Sequence, residues 1–136
     1  MKTALDTSVI LDVVTDDPDW ADASEAALTE AYGLGSLVVG ECVLAEITPA
    51  LAIDDLEHFL KDWRILYRPT SQASAIRAGR MYERYLKRSR QAKRVLPDFL
   101  IGAHALEHTG RILARDRGYY RDYFKGLEVL DPATEV

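Results

Sequence analysis

The chain has one cysteine in 136 residues, Cys42, so it forms no internal disulfide and offers no thiolate metal cluster. A reducing, cytoplasmic setting is the expectation. No apolar run approaches the roughly 20 residues of a membrane span, so no membrane role is expected. The first acid, Asp6, precedes any apolar stretch of signal-peptide length, so no secretory leader is expected either. Internal repeats and low-complexity tracts are absent. What is present is 48% hydrophobic and 29% charged, which argues for a globular fold and against disorder. The length suits one domain over residues 1–136.

The formal net charge of −5 hides a division. Residues 1–63 carry 2 Lys/Arg against 14 Asp/Glu, a net of −12, and residues 64–136 carry 15 against 8, a net of +7. That asymmetry points to an acidic site beside a basic surface.

Short apolar runs alternate with helical periodicity. Strands are predicted at Lys2–Leu5, Leu37–Val39, Ile65–Tyr67, Ile112–Ala114 and Leu127–Leu130. Between them the pattern predicts a helix over Val9–Val14 capped by Ser8, and a second from Pro18 to about Tyr32. A third carries Cys42 to Ile47 and ends or kinks at Pro49. Further helices are predicted over Ile53–Trp63, from a Ser71 cap to about Leu86, over Pro97–His108 and over Tyr119–Phe124. On the Ser71 helix, Ala75, Ala78, Met81, Tyr82 and Tyr85 are expected to face inward. The basic stretch from Arg88 to Val95 reads as a loop. This alternation implies an α/β sandwich with a mostly parallel sheet, whose sites form at the carboxyl ends of strands.

That rule selects four acids. Asp6 follows the first strand, Glu46 lies on the helix after the second, Asp98 opens a helix after the basic stretch, and Asp116 follows Ile112–Ala114. Four converging carboxylates repel one another and raise each other's pKa unless a hard divalent cation sits among them. Oxygen-only ligands suit Mg²⁺ or Mn²⁺. Relief of that repulsion predicts that neutralising any one acid leaves folding intact or improves it. Each acid also has a plain structural explanation: an Asx-turn for Asp6, a helix N-terminus for Asp98, a turn for Asp116 and a solvent-facing position for Glu46. Glu41 competes with Glu46, but the two lie about 140° apart around a helix, so only one faces the site. Glu41 falls in the first helical turn, where any acid is favoured, and Glu46 is therefore selected.

Four segments carry a family resemblance: Leu5-Asp6-Thr7-Ser8-Val9-Ile10, Val43-Leu44-Ala45-Glu46-Ile47, Leu96-Pro97-Asp98-Phe99-Leu100-Ile101-Gly102-Ala103-His104-Ala105 and Ile112-Leu113-Ala114-Arg115-Asp116-Arg117-Gly118-Tyr119-Tyr120. In this order and spacing the chain resembles PIN-domain ribonucleases of the VapC toxin type over nearly its whole length. The resemblance implies a three-layer α/β/α sandwich with Asp6, Glu46, Asp98 and Asp116 as catalytic metal-binding acids. Ser8 would be the hydroxyl supporting the first acid. It implies hydrolysis of RNA with Mg²⁺ or Mn²⁺, a metal-activated water attacking phosphorus to leave 5′-phosphate and 3′-hydroxyl ends. It also implies a homodimer and a small cognate antitoxin as partners. Met81, Tyr82 and Tyr85, or the helices of the first half, would supply the apolar dimer patch. One departure stands out: Ala114 occupies a position where the family often has Thr or Ser, so a hydroxyl serving the acids is missing.

Between Arg80 and Arg94 lie seven cations against Glu83 alone. Lys87, Arg88, Arg90, Lys93 and Arg94 are candidates for RNA phosphates, as are Arg115 and Arg117, with Arg121 beside them. Tyr119, Tyr120 and Tyr123 suit base stacking or, the commoner use of such residues, the edge of the core, and Cys42 is assigned to a buried, inert position. His104-Ala105-Leu106-Glu107-His108 matches an inverted zinc-protease pattern. No further ligand stands out downstream, and His104 lies about 240° around the helix from Asp98. A Mg²⁺-binding receiver-like signalling domain is the alternative, but it would want a lysine where Arg115 and Asp116 follow the late strand. A non-catalytic RNA-binding scaffold would not need all four acids.

Overall fold

The computed structural model describes residues 1–89 and 95–133. Five short strands form one sheet: β1 (Lys2–Leu5), β2 (Ser36–Val39), β3 (Leu66–Tyr67), β4 (Arg111–Leu113) and β5 (Glu128–Leu130). Their order is β3-β2-β1-β4-β5, and every pair is parallel. Consecutive residues Thr3, Ala4 and Leu5 are buried, as are Leu37, Val38 and Val39, so both faces of the sheet are covered. This is the α/β sandwich that the alternation implied.

The helices are α1 (Thr7–Val14), α2 (Ala21–Leu34), α3 (Glu41–Ile47), α4 (Ile53–Asp62), α5 (Gln72–Arg88), α6 (Leu96–His108) and α7 (Tyr119–Tyr123). Chain direction across the sheet reverses at β1, with β2 and β3 on one side and β4 and β5 on the other. Right-handed crossovers then place α1–α4 on one face and α5–α7 on the opposite face. The gap between β1 and β4 is the topological switch point, where open parallel sheets form their sites. Asp6 follows β1 there, and its amide donates to Leu113 O at 3.0 Å.

Helix α1 begins two residues earlier than predicted. Asp6, not Ser8, is its cap, because the Asp6 carboxylate accepts the Ser8 amide. On α5, Ala75 is exposed, and the buried line runs through Ser74, Ala78 and Tyr85 with Met81 and Tyr82 half-buried. The polar Ser74 is tolerated there because its hydroxyl donates to Glu107 Oε1 on α6 at 2.8 Å. Tyr82 and Tyr85 pack on Phe99, with centroids 5.5 and 5.6 Å away. Tyr85 belongs to the core and Met81 and Tyr82 pack against it half-buried, whereas Ile76 and Leu86 of the same helix are exposed. A Cβ on Gly102 would stand 2.5 Å from the Phe124 ring, so only glycine lets α6 pack this closely on the end of α7. Residues Arg90, Lys93 and Arg94 of the predicted basic loop lie outside the described residues. Among the described residues no helix is long and apolar enough to cross a membrane.

Candidate active site

Three connections meet at the switch point: β1–α1 brings Asp6, the start of α6 brings Asp98, and β4–α7 brings Asp116. Asp6 is almost fully buried and accepts three donors, which leaves one of the roughly four carboxylate lone-pair sites open on Oδ1. Its Oδ2 accepts the Ser8 amide at 3.0 Å and the Ser8 hydroxyl at 2.5 Å. Its Oδ1 accepts the phenol of Tyr120 at 2.5 Å. Burial, reinforced by the Asp6 charge, pushes the Tyr120 hydroxyl well above its ordinary pKa, so the tyrosine keeps its proton and acts as donor. Tyr120 thus supplies a hydroxyl to the acids of a chain that has Ala114 in place of Thr or Ser.

Asp98 sits in the first turn of α6, half-buried. Its carboxyl is pushed up to about 6, first by burial and then by the Asp6 charge. Arg117 works in the opposite direction, while Glu46 and Asp116 push it further up. The three other acids therefore all act on this one carboxyl. Glu46 reaches it from the last turn of α3, where it is exposed and its Oε1 accepts the Thr7 hydroxyl at 2.7 Å. Glu41 is occupied elsewhere. Burial raises its carboxyl, but hydrogen bonds from the Thr70 amide and hydroxyl outweigh that and leave it lowered.

Asp116 is arranged differently. Its Oδ1 accepts the amides of Gly118 at 2.9 Å and Tyr120 at 3.3 Å, and its Oδ2 accepts that of Arg121 at 3.2 Å. Only 1% of the side chain is exposed. The carboxylate caps the start of α7, and the turn beneath it needs Gly118 at φ +104°, which favours glycine. The Asp116 amide donates to Asp131 Oδ2 at 3.2 Å, so a buried acid following β5 holds this loop.

Asp6, Ser8, Asp98, Asp116, Arg117 and Tyr119 line a small cleft of about 30 Å³, with Arg115 and Tyr120 completing its wall. That is room for a water or a small ion. Among the described residues, no three His, Cys, Asp or Glu side chains stand close enough to enclose a metal by themselves. The donor set still fits Mg²⁺, which is commonly held by one or two carboxylates and several waters. A half-buried carboxyl kept protonated up to about 6 by burial and by neighbouring acids is the electrostatic condition that a cation relieves.

The candidate cations divide. Arg115 is committed to Asp12, with Nε and one terminal nitrogen each 2.8 Å from a carboxylate oxygen, and its guanidinium lies over the Trp20 ring. Asp12 is buried and also accepts the Ser24 hydroxyl at 2.7 Å. Arg117 is exposed at the cleft, and Lys87 and Arg88 are exposed at the end of α5. The inverted-zinc pattern is used structurally. His104 is buried with Nε2 2.6 Å from Arg68 O, His108 lies against Pro69 O, and Glu107 holds Ser74. Cys42 is half-buried, and burial pushes its thiol up.

Residues 3–125 match the PIN domain family. The chain belongs to the PIN domain family. No curated protein matches it in sequence. Solved structures share its fold. The VapBC2 complex of Rickettsia felis bound to a promoter DNA fragment contains a chain that is 15% identical with a TM-score of 0.70, covering 96% of this chain and 98% of that one. FitAB bound to the IR36 DNA fragment gives 20% identity and a TM-score of 0.70 over 100% and 98%. FitAcB of Neisseria gonorrhoeae gives 21% and 0.66 over 99% and 100%. At these identities the likeness is one of fold.

Sequence reading of this PIN domain missed Tyr120, Asp12, Asp131 and Thr7. An acid inside the apolar run Val9-Ile10-Leu11-Asp12-Val13-Val14 is a signal for a buried partnered carboxylate. Asp131 directly follows the last predicted strand, so the strand-end rule that selected the four acids would also have found it, whereas nothing local reveals which acid the distant Tyr120 phenol will meet.

Proposed function

We propose that this PIN domain is a metal-dependent endoribonuclease, the toxin half of a cytoplasmic toxin–antitoxin pair. The supporting observation is the gathering of Asp6, Asp98 and Asp116 in one cleft at the switch point, where burial and then the Asp6, Glu46 and Asp116 charges push the Asp98 carboxyl up to about 6. Asp6 and Asp98 are the residues to hold Mg²⁺ or Mn²⁺, with Glu46 and Asp116 contributing charge around them. When bound, such a cation supplies an activated water and neutralises charge developing on a phosphodiester. Ser8 and Tyr120 fix the Asp6 carboxylate in one orientation. Thr7 positions Glu46. Arg117, beside Asp98, attracts and orients an RNA phosphate. The antitoxin is supported by the VapBC and FitAB complexes that share this fold, and exposed Leu34, Ile53, Tyr67 and Ile76 offer apolar surface for it and for the second copy that the resemblance implies.

The test is cleavage of total RNA by the full chain freed of any partner, with and without EDTA, followed by mapping of the ends. Cleavage that stops with EDTA and with Asp98→Asn, leaving 5′-phosphates, is the expected result. Cleavage that survives both overturns the reading, and absence of cleavage with Mg²⁺ and Mn²⁺ returns the chain to the binding classes.

A further inference from the structure

A second concavity lies beside the acidic cleft and is far larger than it, a groove of about 520 Å³ between α5 and α7. Arg77, Arg84, Lys87, Arg88 and Lys125 line it against one acid, Asp122. Arg77, Arg84 and Arg88 fall within about 40° of one another around α5, so they form one stripe. Among the described residues, none of the five cations has a carboxylate within ion-pair distance. Five exposed, uncompensated cations in one concavity repel one another unless an anion enters.

The groove is joined to the cleft through α7. Tyr119 lines the cleft and Tyr123 lines the groove, four residues apart and so about 6 Å along one helix face. Both rings are fixed on the same support, with centroids 5.8 and 5.2 Å from Phe99. The Arg88 guanidinium lies over the Tyr123 ring, 5.6 Å from its centroid. An aromatic face paired with a guanidinium beside a row of cations is the combination that grips single-stranded nucleic acid, by stacking and by phosphate contact.

We propose that the α5–α7 groove binds the stretch of single-stranded RNA flanking the cleaved bond. Arg77, Arg84, Lys87, Arg88 and Lys125 hold its phosphates, and the Tyr123–Arg88 pair stacks a base. The inference rests on the ribonuclease reading, because it takes RNA as the polyanion that lies in the cleft. Phosphate contacts carry no sequence information, so the groove contributes affinity equally to all sequences, leaving selectivity to contacts nearer the acids.

The experiment uses the full chain carrying Asp98→Asn and measures binding of two labelled single-stranded RNA oligonucleotides of unrelated sequence across a salt series. The triple variant Arg77→Gln, Arg84→Gln, Lys125→Gln is compared with a control triple, Lys2→Gln, Lys61→Gln, Arg64→Gln, with unfolding curves confirming that both fold. The groove variant is expected to lower the slope of log affinity against log salt by about 2, at roughly 0.7 per lost contact, for both oligonucleotides alike. The control is expected to leave it unchanged. An unchanged slope in the groove variant, or an equal fall in the control, overturns the proposal. The nuclease reading is judged separately by cleavage with the unmodified chain: cleavage with an unchanged slope sinks only the groove, and a lowered slope without cleavage sinks only the nuclease.

Discussion

The phenol of Tyr120 donates to Asp6 Oδ1 at 2.5 Å, joining α7 to the carboxylate that follows β1 across 114 positions of sequence. Both residues are buried, so the bond forms in a low-dielectric setting where an unpaired carboxylate is costly. It fixes the oxygen that Ser8 leaves free. Tyr120→Phe is expected to lose about 1–3 kcal/mol of stability, the worth of a hydrogen bond to a charged group. RNA cleavage should fall with it, and Ser8→Ala should couple to Tyr120→Phe non-additively in a double-mutant cycle. Urea unfolding and cleavage rates measure both. Unchanged values in Tyr120→Phe would remove Tyr120 from the site.

Asp98 makes the metal-free protein weaker at neutral pH. Its carboxyl binds a proton more tightly folded, at about 6, than at the ordinary 3.8, so the native state holds more protons across that window. Stability contributed by the protonated form is present below about pH 4 and is lost as pH rises through about 6. Asp98→Asn abolishes this loss. In EDTA, its advantage over the unmodified chain should grow by about 1–2 kcal/mol between about pH 4 and about pH 7, allowing for solvent screening at a half-exposed group. A constant difference across that range would contradict the shift.

Asp116 departs from the expectation that every acid relieves repulsion when neutralised. Its carboxylate accepts three backbone amides, and Asn offers one oxygen where Asp offers two. Asp116→Asn should therefore lose about 1–2 kcal/mol as a damaged cap, while Asp98→Asn gains stability. Thermal unfolding of the two variants side by side checks the opposite signs.

Arg115 and Asp12 act on stability before they act on substrate. The pair is bidentate and Asp12 is buried, so Asp12→Ala strands a guanidinium and should cost about 3 kcal/mol or more. Arg115→Lys keeps the charge but loses the fork, and should cost about 1–2 kcal/mol. If Arg115→Lys weakens RNA binding without changing unfolding, the guanidinium serves RNA directly.

Local chemistry made much of this protein legible. Short apolar runs and period-3.6 patterns placed the strands and helices, because strands covered on both faces are apolar throughout and helices bury one face, both local in sequence. Acids at strand ends marked the candidate site, because parallel sheets gather those ends at one edge. Pro49 and Pro97 marked the end of α3 and the start of α6, through a missing amide and a fixed φ. Tertiary structure decided what each polar group meets. It gave the cap of α1 to Asp6 rather than Ser8, and committed Arg115 to Asp12. It also turned Ser74, not Ala75, inward toward Glu107, and brought the Tyr120 phenol to Asp6. A hydrogen bond depends on a few tenths of an ångström between atoms from distant segments. Sequence spacing carries that information only where the partners share one helix or one turn.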